Sequence, residues 1–344
     1  MANVTFTVPN KNGSYDGDMV VKQYTSAIID SGDTVTTDQP CRGLFMLVKG
    51  DLTVNGTLTM SARGAFANPT SSGGSDSNNV DTNGLRFPFV TSGGSSSLTA
   101  AATLLNGCGT EARSVIANFP TLSSDGTILS IPRNGGAGGS GANAHNNTGS
   151  VAGGTGGTVT NGTGGGGSGK AYYRAASQNG GLAGCFGGGS GSGAVRSYSS
   201  NYTNPSLPVA YGGAGGVGNY SGQFNNVCGG GAGNPGGTSA GSSTSGSNGT
   251  GGVIILVVAG NVTIGASGKI LANGTPGGTY GSSGSEANDM EGGATGGGRI
   301  IIAHTGTYTN NGTVQAVGGK AATSGMGGTG GDGGAGTVTV QQIA

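Results

Sequence analysis

Few side chains in this chain of 344 residues could do chemistry, and their spacing settles most cases. His145 and His304 are the only histidines, and neither sits in a Ser/His/Asp or Cys/His pattern. His304 follows the apolar run Ile300–Ile302, which reads as a structural histidine at a strand end. The stretch from Gly164 to Lys170 fits GxxxxGK, but Ala171 stands where a phosphate cradle needs Ser or Thr for Mg²⁺. No strand signal precedes it and no helix signal follows, so nucleotide binding is not expected. Gly327-Gly328-Thr329-Gly330-Gly331-Asp332 matches the start of a calcium-binding nonapeptide. It occurs once and lacks the large apolar residue that should follow. Glu286, Asp289 and Glu291 form the only local acidic group; a carboxylate pair could do acid–base work, but the surrounding Gly, Ser and Asn read as a solvated loop. The expectation is therefore no catalytic residue, no metal site, no cofactor and no enzyme.

The four cysteines, Cys41, Cys108, Cys185 and Cys228, are widely spaced with no CxxC pair. Zinc needs closer ligand pairs and more histidine. Two readings stay open: buried apolar thiols, or a Cys185–Cys228 bridge across the glycine-rich region. Asn-Gly-Thr recurs at 55–57, 161–163, 248–250, 273–275 and 311–313. The N-terminal stretch has neither a positive n-region nor an apolar core, so no secretory signal is expected, and Asn-Gly reads as turn chemistry rather than as a glycan acceptor.

Recognition chemistry is concentrated elsewhere. Six of the 10 tyrosines, Tyr172, Tyr173, Tyr198, Tyr202, Tyr211 and Tyr220, fall between glycine tracts. Phe186 and Phe224 join them, with Arg174, Arg196, Gln178, Asn201, Asn219 and Gln223 nearby. Tyr with Ser, Gly and Asn is the composition of adaptable binding loops, and aromatic faces with amides also suit sugar rings. The competing reading is a local core covering the ends of the glycine tracts. The candidate receptor contacts are Tyr172, Tyr173, Arg174, Tyr198, Tyr202, Tyr211, Tyr220 and Phe224, on loops 171–186, 194–211 and 219–228.

What must position such loops is unusual material. Of the 344 residues 81 are glycine, against ~7% in ordinary proteins, and only 8% are charged. The formal net charge is zero, with 14 basic and 14 acidic residues. There is no basic excess to grip nucleic acid, and no apolar run approaching the ~20 residues of a membrane span. Each ordered glycine costs roughly 0.5–1 kcal/mol more backbone entropy than alanine. The glycines fall in discrete tracts at 135–141, 153–158, 162–169, 187–193, 212–218, 229–237, 292–298 and 327–336, often as Gly-Gly-X. A three-residue period matches the polyproline II helix, which has no internal hydrogen bonds. Bundled helices of that kind, bare on two faces, can bond backbone to backbone and so offset the entropy.

An internal repeat accompanies the tracts. Gly43–Gly64, Gly252–Gly274 and Gly298–Gly319 each open with an apolar strand, turn at Gly, run through a Thr/Val strand, turn again and add a third strand. Gly336–Ile343 reads as a closing strand. Such units stack as rungs of a β-solenoid or meander. The predicted layout has a β-rich part at 1–70 and a mixed segment at 71–134, with short helices over 98–105 and 111–117 and a strand at 127–131. A polyglycine II insert follows at 135–252, then C-terminal β-repeats with glycine tracts at 253–344. The fold class is mainly β with little α-helix, a body from both chain ends carrying an inserted polyglycine II bundle.

The Gly-Gly-X tracts separated by aromatic, polar loops resemble the glycine-rich distal tail-fibre adhesins of T-even-like bacteriophages, over 135–252 and on toward 336. The β-repeats lie outside that pattern and look like repeats of glycine-rich phage and bacterial surface proteins. The resemblance implies a virion appendage protein (tail-fibre tip, head fibre or decoration) whose loops bind a host receptor or glycan. Its partners would be other virion or fibre subunits, with homo-oligomerisation, and a trimer, implied by the resemblance alone. Assembly in host cytoplasm fits the missing leader. The alternatives are a non-catalytic subunit of an extracellular fibre or surface layer, and an ice- or polysaccharide-binding protein with a flat repetitive face.

Overall fold

The fold is taken from a computed structural model of the chain, which describes residues 2–11, 13–65, 135–141, 143–144, 152–160, 162–170, 175–177, 179–184, 186–196, 228–229, 232–233, 247–278, 291–321 and 329–342. Among the described residues the protein is mainly β, with no helix. The expected helices over 98–105 and 111–117 and the strand at 127–131 lie outside them.

Each sequence repeat supplies one strand to each of three parallel sheets. Leu44–Val48 (β5), Leu52–Val54 (β6) and Thr57–Thr59 (β7) come from the first copy. Val253–Val258 (β12), Val262–Ile264 (β13) and Lys269–Leu271 (β14) come from the second, and Arg299–His304 (β15), Tyr308–Asn310 (β16) and Thr313–Gln315 (β17) from the third. A fourth, more divergent unit precedes them: Val20–Tyr24 (β2), Ala27–Ile29 (β3) and Thr34–Thr37 (β4). Val4–Phe6 (β1) and Thr337–Gln342 (β18) add an outer strand at opposite ends. The sheet orders are β1-β4-β7-β14-β17, β18-β15-β12-β5-β2 and β16-β13-β6-β3, with every pairing among these strands parallel.

Register follows from the apolar pattern, because a one-residue slip would turn every core side chain outward. Val35, Leu58, Ile270 and Val314 share one register row, and Ala27, Leu52, Val262 and Tyr308 another. Together with Leu44, Met46, Ile254, Leu256, Ile300 and Ile302 they form one core between the three sheets. The sheet containing β5, β12 and β15 is buried on its other face too, by Phe45, Val253, Ile255, Val257 and Ile301. A parallel strand buried on both faces must be apolar throughout, hence Val253-Ile-Ile-Leu-Val-Val258.

Side chains tie the corners from unit to unit. The Asn261 amide donates to Asp51 Oδ1, and the Thr307 amide donates to Asn261 Oδ1, both at 2.8 Å. The Asn273 amide donates to Ser61 Oγ at 2.9 Å, and the Val317 amide to Asn273 Oδ1 at 3.0 Å. Asn at a turn serves as a peptide mimic that satisfies the next layer's N–H.

The glycine tracts continue the strands at one corner. Tract 247–252 leads into β12, 291–298 into β15 and 329–336 into β18, while 272–278 and 316–321 leave β14 and β17. Backbone bonds close that corner: Gly252 donates to Met60, Gly298 to Ala272 and Gly336 to Ala316, at 2.9, 2.7 and 2.8 Å. Tract 162–170 is surrounded by six others. Gly164, Gly167 and Lys170 donate to Gly297, Ala294 and Glu291. Gly165 and Ser168 donate to Gly157 and Gly154, and Gly166 to Gly181. In return Thr163 and Gly166 accept from Gly136 and Gly139, Gly164 and Gly167 from Gly189 and Ser192, and Gly165 and Ser168 from Gly334 and Gly331. The same neighbour recurs every third residue, some tracts running parallel and others antiparallel.

Spacing this close leaves no room for side chains. A Cβ on Gly164 or Gly167 would overlap the carbonyl of Gly334 or Gly331. Dense bonding thus accompanies the entropic cost that the composition raised.

Candidate functional site

Tract directions define two ends. Residues 163–164 lie level with Gly297, next to β15, and residue 170 lies level with Glu291 at the far end. Turns at the body end are short. Thr337 at the start of β18 holds the 159–162 turn, its Oγ1 donating to the carbonyls of Val159 and Gly162. The 184–187 turn is closed by Gly184 donating to Gly187 at 3.1 Å, and Ala65 donates to Phe186. Arg42 lies 5.6 Å over the Phe186 ring, joining this turn to the body.

Longer connections depart at the far end. Tracts 135–141 and 152–158 are joined there, as are 162–170 with 179–184, 272–278 with 291–298, and 316–321 with 329–336; tract 187–193 also leaves there. Beyond it stands a small antiparallel sheet of Asn143–Ala144 (β8), Ala175–Ser177 (β9), Ala194–Arg196 (β10) and Cys228–Gly229 (β11), in the order β11-β10-β9-β8. Ala175 pairs with both Ala144 and Arg196, and Val195 pairs with Cys228. The described backbone therefore brings together the stems of all three candidate loops: β9 in 171–186, β10 in 194–211 and β11 at the end of 219–228.

The candidate contacts themselves, Tyr172, Tyr173, Arg174, Tyr198, Tyr202, Tyr211, Tyr220 and Phe224, lie outside the described residues. So do Cys185 and the side chain of Cys228. Tyr173 is two residues before Ala175, and Tyr198 two residues after its partner Arg196.

The other sequence motifs fall into structural roles. Lys170 and Glu291 are fully buried where the tracts reach the far end, and the Lys170 amide donates to the Glu291 carbonyl at 2.9 Å. Glu291 Oε2 accepts from the Gly330 amide at 2.8 Å. The GxxxxGK match is thus the central tract of the glycine array. Both Asp332 oxygens are used: Oδ2 bonds Lys320 at 2.6 Å, and Oδ1 accepts from the Ala321 amide at 2.8 Å. Glu286 and Asp289 lie outside the described residues. His304 is buried, its Nδ1 2.9 Å from the Gly306 carbonyl, and it stacks on Tyr308. His145 lies outside the described residues.

Cys41 is a buried free thiol, and burial pushes it up to about 11. Arg299 is fully buried where array meets body, and desolvation lowers its guanidinium to about 10. Among the described residues no group of His, Cys, Asp and Glu could hold a metal, and no helix is long and apolar enough to cross a membrane.

Sequence reasoning missed the β8–β11 sheet. Its strands are only two or three residues long, so no periodicity can reveal them. It also missed the rows that Thr makes on the outside of the body. Thr34 and Thr57 are register partners, as are Thr5 and Thr36, and Thr53, Thr263 and Thr309 run across another sheet. The Thr-x-Thr spellings at 34–36 and 57–59 signalled them.

Compared with family models, curated proteins and solved structures, the chain matches none.

Proposed function

We propose that the protein is a virion appendage protein: a β-solenoid body carrying a polyglycine II array, whose far-end loops bind a host surface receptor or glycan. The three-strand units in parallel register support the solenoid reading. Six neighbours and a three-residue hydrogen-bond period support polyglycine II, which has three residues per turn. The observation that carries the function is the convergence of the aromatic loops' stems in the β8–β11 sheet. A rigid array ending in pinned, tyrosine-bearing loops places recognition chemistry away from the body, as a binding tip requires. The reading includes other virion subunits as partners, a position on the virion surface and no catalysis.

The test is binding of the purified 344-residue chain to a glycan array and to host envelope fractions, beside Tyr173→Ala, Tyr198→Ala and the double variant. Loss of binding at least tenfold with an unchanged melting profile supports the reading. Absence of binding to every envelope component, or binding that ignores both tyrosines, overturns it.

The threonine rows favour a second reading, a flat repetitive face for ice or polysaccharide. Neighbouring threonines within a row stand ~4.8 Å apart by strand spacing. Lys269 and Leu271 of β14, the register partners of Thr57 and Thr59, interrupt the threonine rows, which weighs against an extended lattice-matching face. Ice recrystallisation and insoluble-polysaccharide pull-down assays separate it from the first. A structural subunit of a surface layer or extracellular fibre would instead bury the far-end loops against a neighbouring subunit.

A further inference from the structure

An asparagine followed by glycine can modify itself, because the glycine nitrogen, unshielded by a Cβ, can reach the asparagine side-chain carbonyl carbon. Among the described residues the pair occurs at 55–56, 179–180, 248–249, 273–274 and 311–312. To react, the glycine nitrogen must first leave its own hydrogen bond. Four of these amides are held by backbone carbonyls: Gly56 by Ile29 at 3.1 Å, Gly180 by Gly139 at 2.8 Å, Gly249 by Gly233 at 2.6 Å and Gly274 by Val317 at 2.9 Å. Gly56, Gly180 and Gly249 are also buried. The side chains of Asn179 and Asn273 are committed as well, their Oδ1 atoms accepting from the Gly141 and Val317 amides. Gly312 differs. Its amide donates to the Asn310 side chain, to Oδ1 at 3.0 Å, and both Asn310 and Asn311 are exposed. A side-chain rotation releases that bond, whereas the other four release only when backbone separates from backbone.

Asn55-Gly56 occupies the same corner one repeat type earlier and makes the contrast sharp. The Asn55 amide donates to Ile29 at 2.8 Å, and the Asn311 amide donates to Ile264 at 2.9 Å. A further unit then covers Asn55-Gly56: Ser267 Oγ donates to the Asn55 carbonyl, and the Lys269 amide donates to the Gly56 carbonyl at 2.8 Å. No described strand stacks beyond β16 or β17. Packing also fixes the glycine. A Cβ on Gly56 would overlap the carbonyl oxygens of Asp30 and Asp33, and one on Gly312 those of Gly268 and Gly265. The corner demands the reactive dipeptide's glycine, and the last unit leaves the pair uncovered.

The geometry points to Asn311 as a self-modification site, where the folded chain converts its own asparagine to aspartate and isoaspartate. The Gly312 nitrogen gives its proton to water or hydroxide and bonds to the Asn311 Cγ. The Cγ–Nδ2 bond breaks, and Nδ2 leaves as ammonia with a proton from solvent. Water then opens the succinimide ring at one of its two carbonyl–nitrogen bonds. Opening at Cγ gives aspartate, and opening at the backbone carbonyl gives isoaspartate. The net change is amide and water to carboxylate and ammonium, with no oxidant or cofactor. Isoaspartate places an extra methylene in the backbone of the two-residue turn between β16 and β17. That turn is held at both ends, by Asn311 on Ile264 and by Thr313 on Gly268, each at 2.9 Å. The added length therefore loosens β17 from β14. The site is independent of what the far-end loops bind.

The test incubates the 344-residue chain in neutral and mildly alkaline buffer and follows each Asn-Gly peptide by mass spectrometry, in native buffer and in urea. In the native chain Asn311 converts at least about tenfold faster than Asn55, Asn179, Asn248 or Asn273, because protection follows the free energy of local opening. Its rate rises with pH, since the attacking nitrogen must lose a proton. In urea the five rates converge. Conversion at Asn311 no faster than at any of the other four in the native chain overturns the proposal. So does an order of rates that urea leaves unchanged, since local sequence and not the fold would then set it. Hydrogen exchange across 313–315 is faster in the isoaspartyl form than in Asn311→Asp, which carries the charge without the methylene. Equal exchange in the two overturns the link to β17.

Discussion

The Gly167 amide donates to the Ala294 carbonyl at 2.8 Å, and three residues to either side Gly164 and Lys170 donate to Gly297 and Glu291. One tract thus reads its neighbour in steps of three while its other amides serve other tracts. Side-chain-free backbone makes this possible, and it makes the array intolerant of a single methyl group.

Gly167→Ala tests that intolerance. The new Cβ would overlap the Gly331 carbonyl group and meet the Asp332 carbonyl. In an open position the substitution would stabilise by ~0.4–1 kcal/mol through the unfolded chain. Here overpacking reverses the sign, with an expected loss of about 1–3 kcal/mol. Thermal or urea unfolding of the variant measures it, and a melting temperature at or above wild type would count against the packed array.

The Asp332 carboxylate is already occupied by Lys320 and the Ala321 amide. Millimolar calcium or a chelator should leave the melting temperature unchanged within about 1 °C, since a ligand stabilises only by binding the native state. A calcium-dependent rise lost in Asp332→Asn would show that an ion displaces Lys320.

Alkaline pH should weaken the fold. Burial pushes Cys41 up to about 11 and also raises Tyr24 and Tyr308. The folded state then holds protons that the unfolded chain releases, so stability falls as pH rises above the unfolded thiol value of ~8.5. The Cys41 contribution declines progressively until about pH 11. Melting temperatures from pH 7 to 10.5 should drop, and Cys41→Ala should flatten part of that slope. Native Cys41 should also resist thiol reagents that label it readily in urea.

No Cys185–Cys228 bridge is expected. Gly184 and Phe186, the neighbours of Cys185, are bonded to Gly187 and Ala65 at the body end, whereas Cys228 pairs with Val195 beyond the far end. Tract 187–193 separates these levels, about 20 Å at ~3.1 Å per residue, and a disulfide allows at most about 7 Å between Cα atoms. Mass spectrometry of protein alkylated in urea without reduction should find Cys185 and Cys228 both modified. A linked peptide pair would overturn this geometry.

Much of the body was legible because its strands either alternate or are apolar throughout. The Gly43, Gly252 and Gly298 repeats mark β5, β12 and β15, and their Asn-Gly turns mark two of the corners. The unit containing β2, β3 and β4 escaped notice, since Lys22, Gln23 and Tyr24 break the apolar run that identifies the others. The aromatic loops were legible only as composition. Tyr172, Tyr173 and Tyr198 stand out by type, but the strands that gather their stems are two or three residues long, with no pattern of their own. Nothing local marks Lys170 and Glu291 as buried neighbours, because they come together only when two tracts cross the array side by side.

The sequence by itself determined the strands of the three repeats, their apolar core and the glycine tracts, because apolar patterning and the missing Cβ are properties of single residues and their near neighbours. Only the tertiary structure decided which tract bonds which, that residues 162–170 lie at the centre, and that the aromatic loops leave from one end. Backbone amides are chemically alike in every Gly-Gly-X tract, so local sequence cannot specify their partners. The strands do: β12, β15 and β18 are placed by side-chain register, and the tracts that feed them inherit their order.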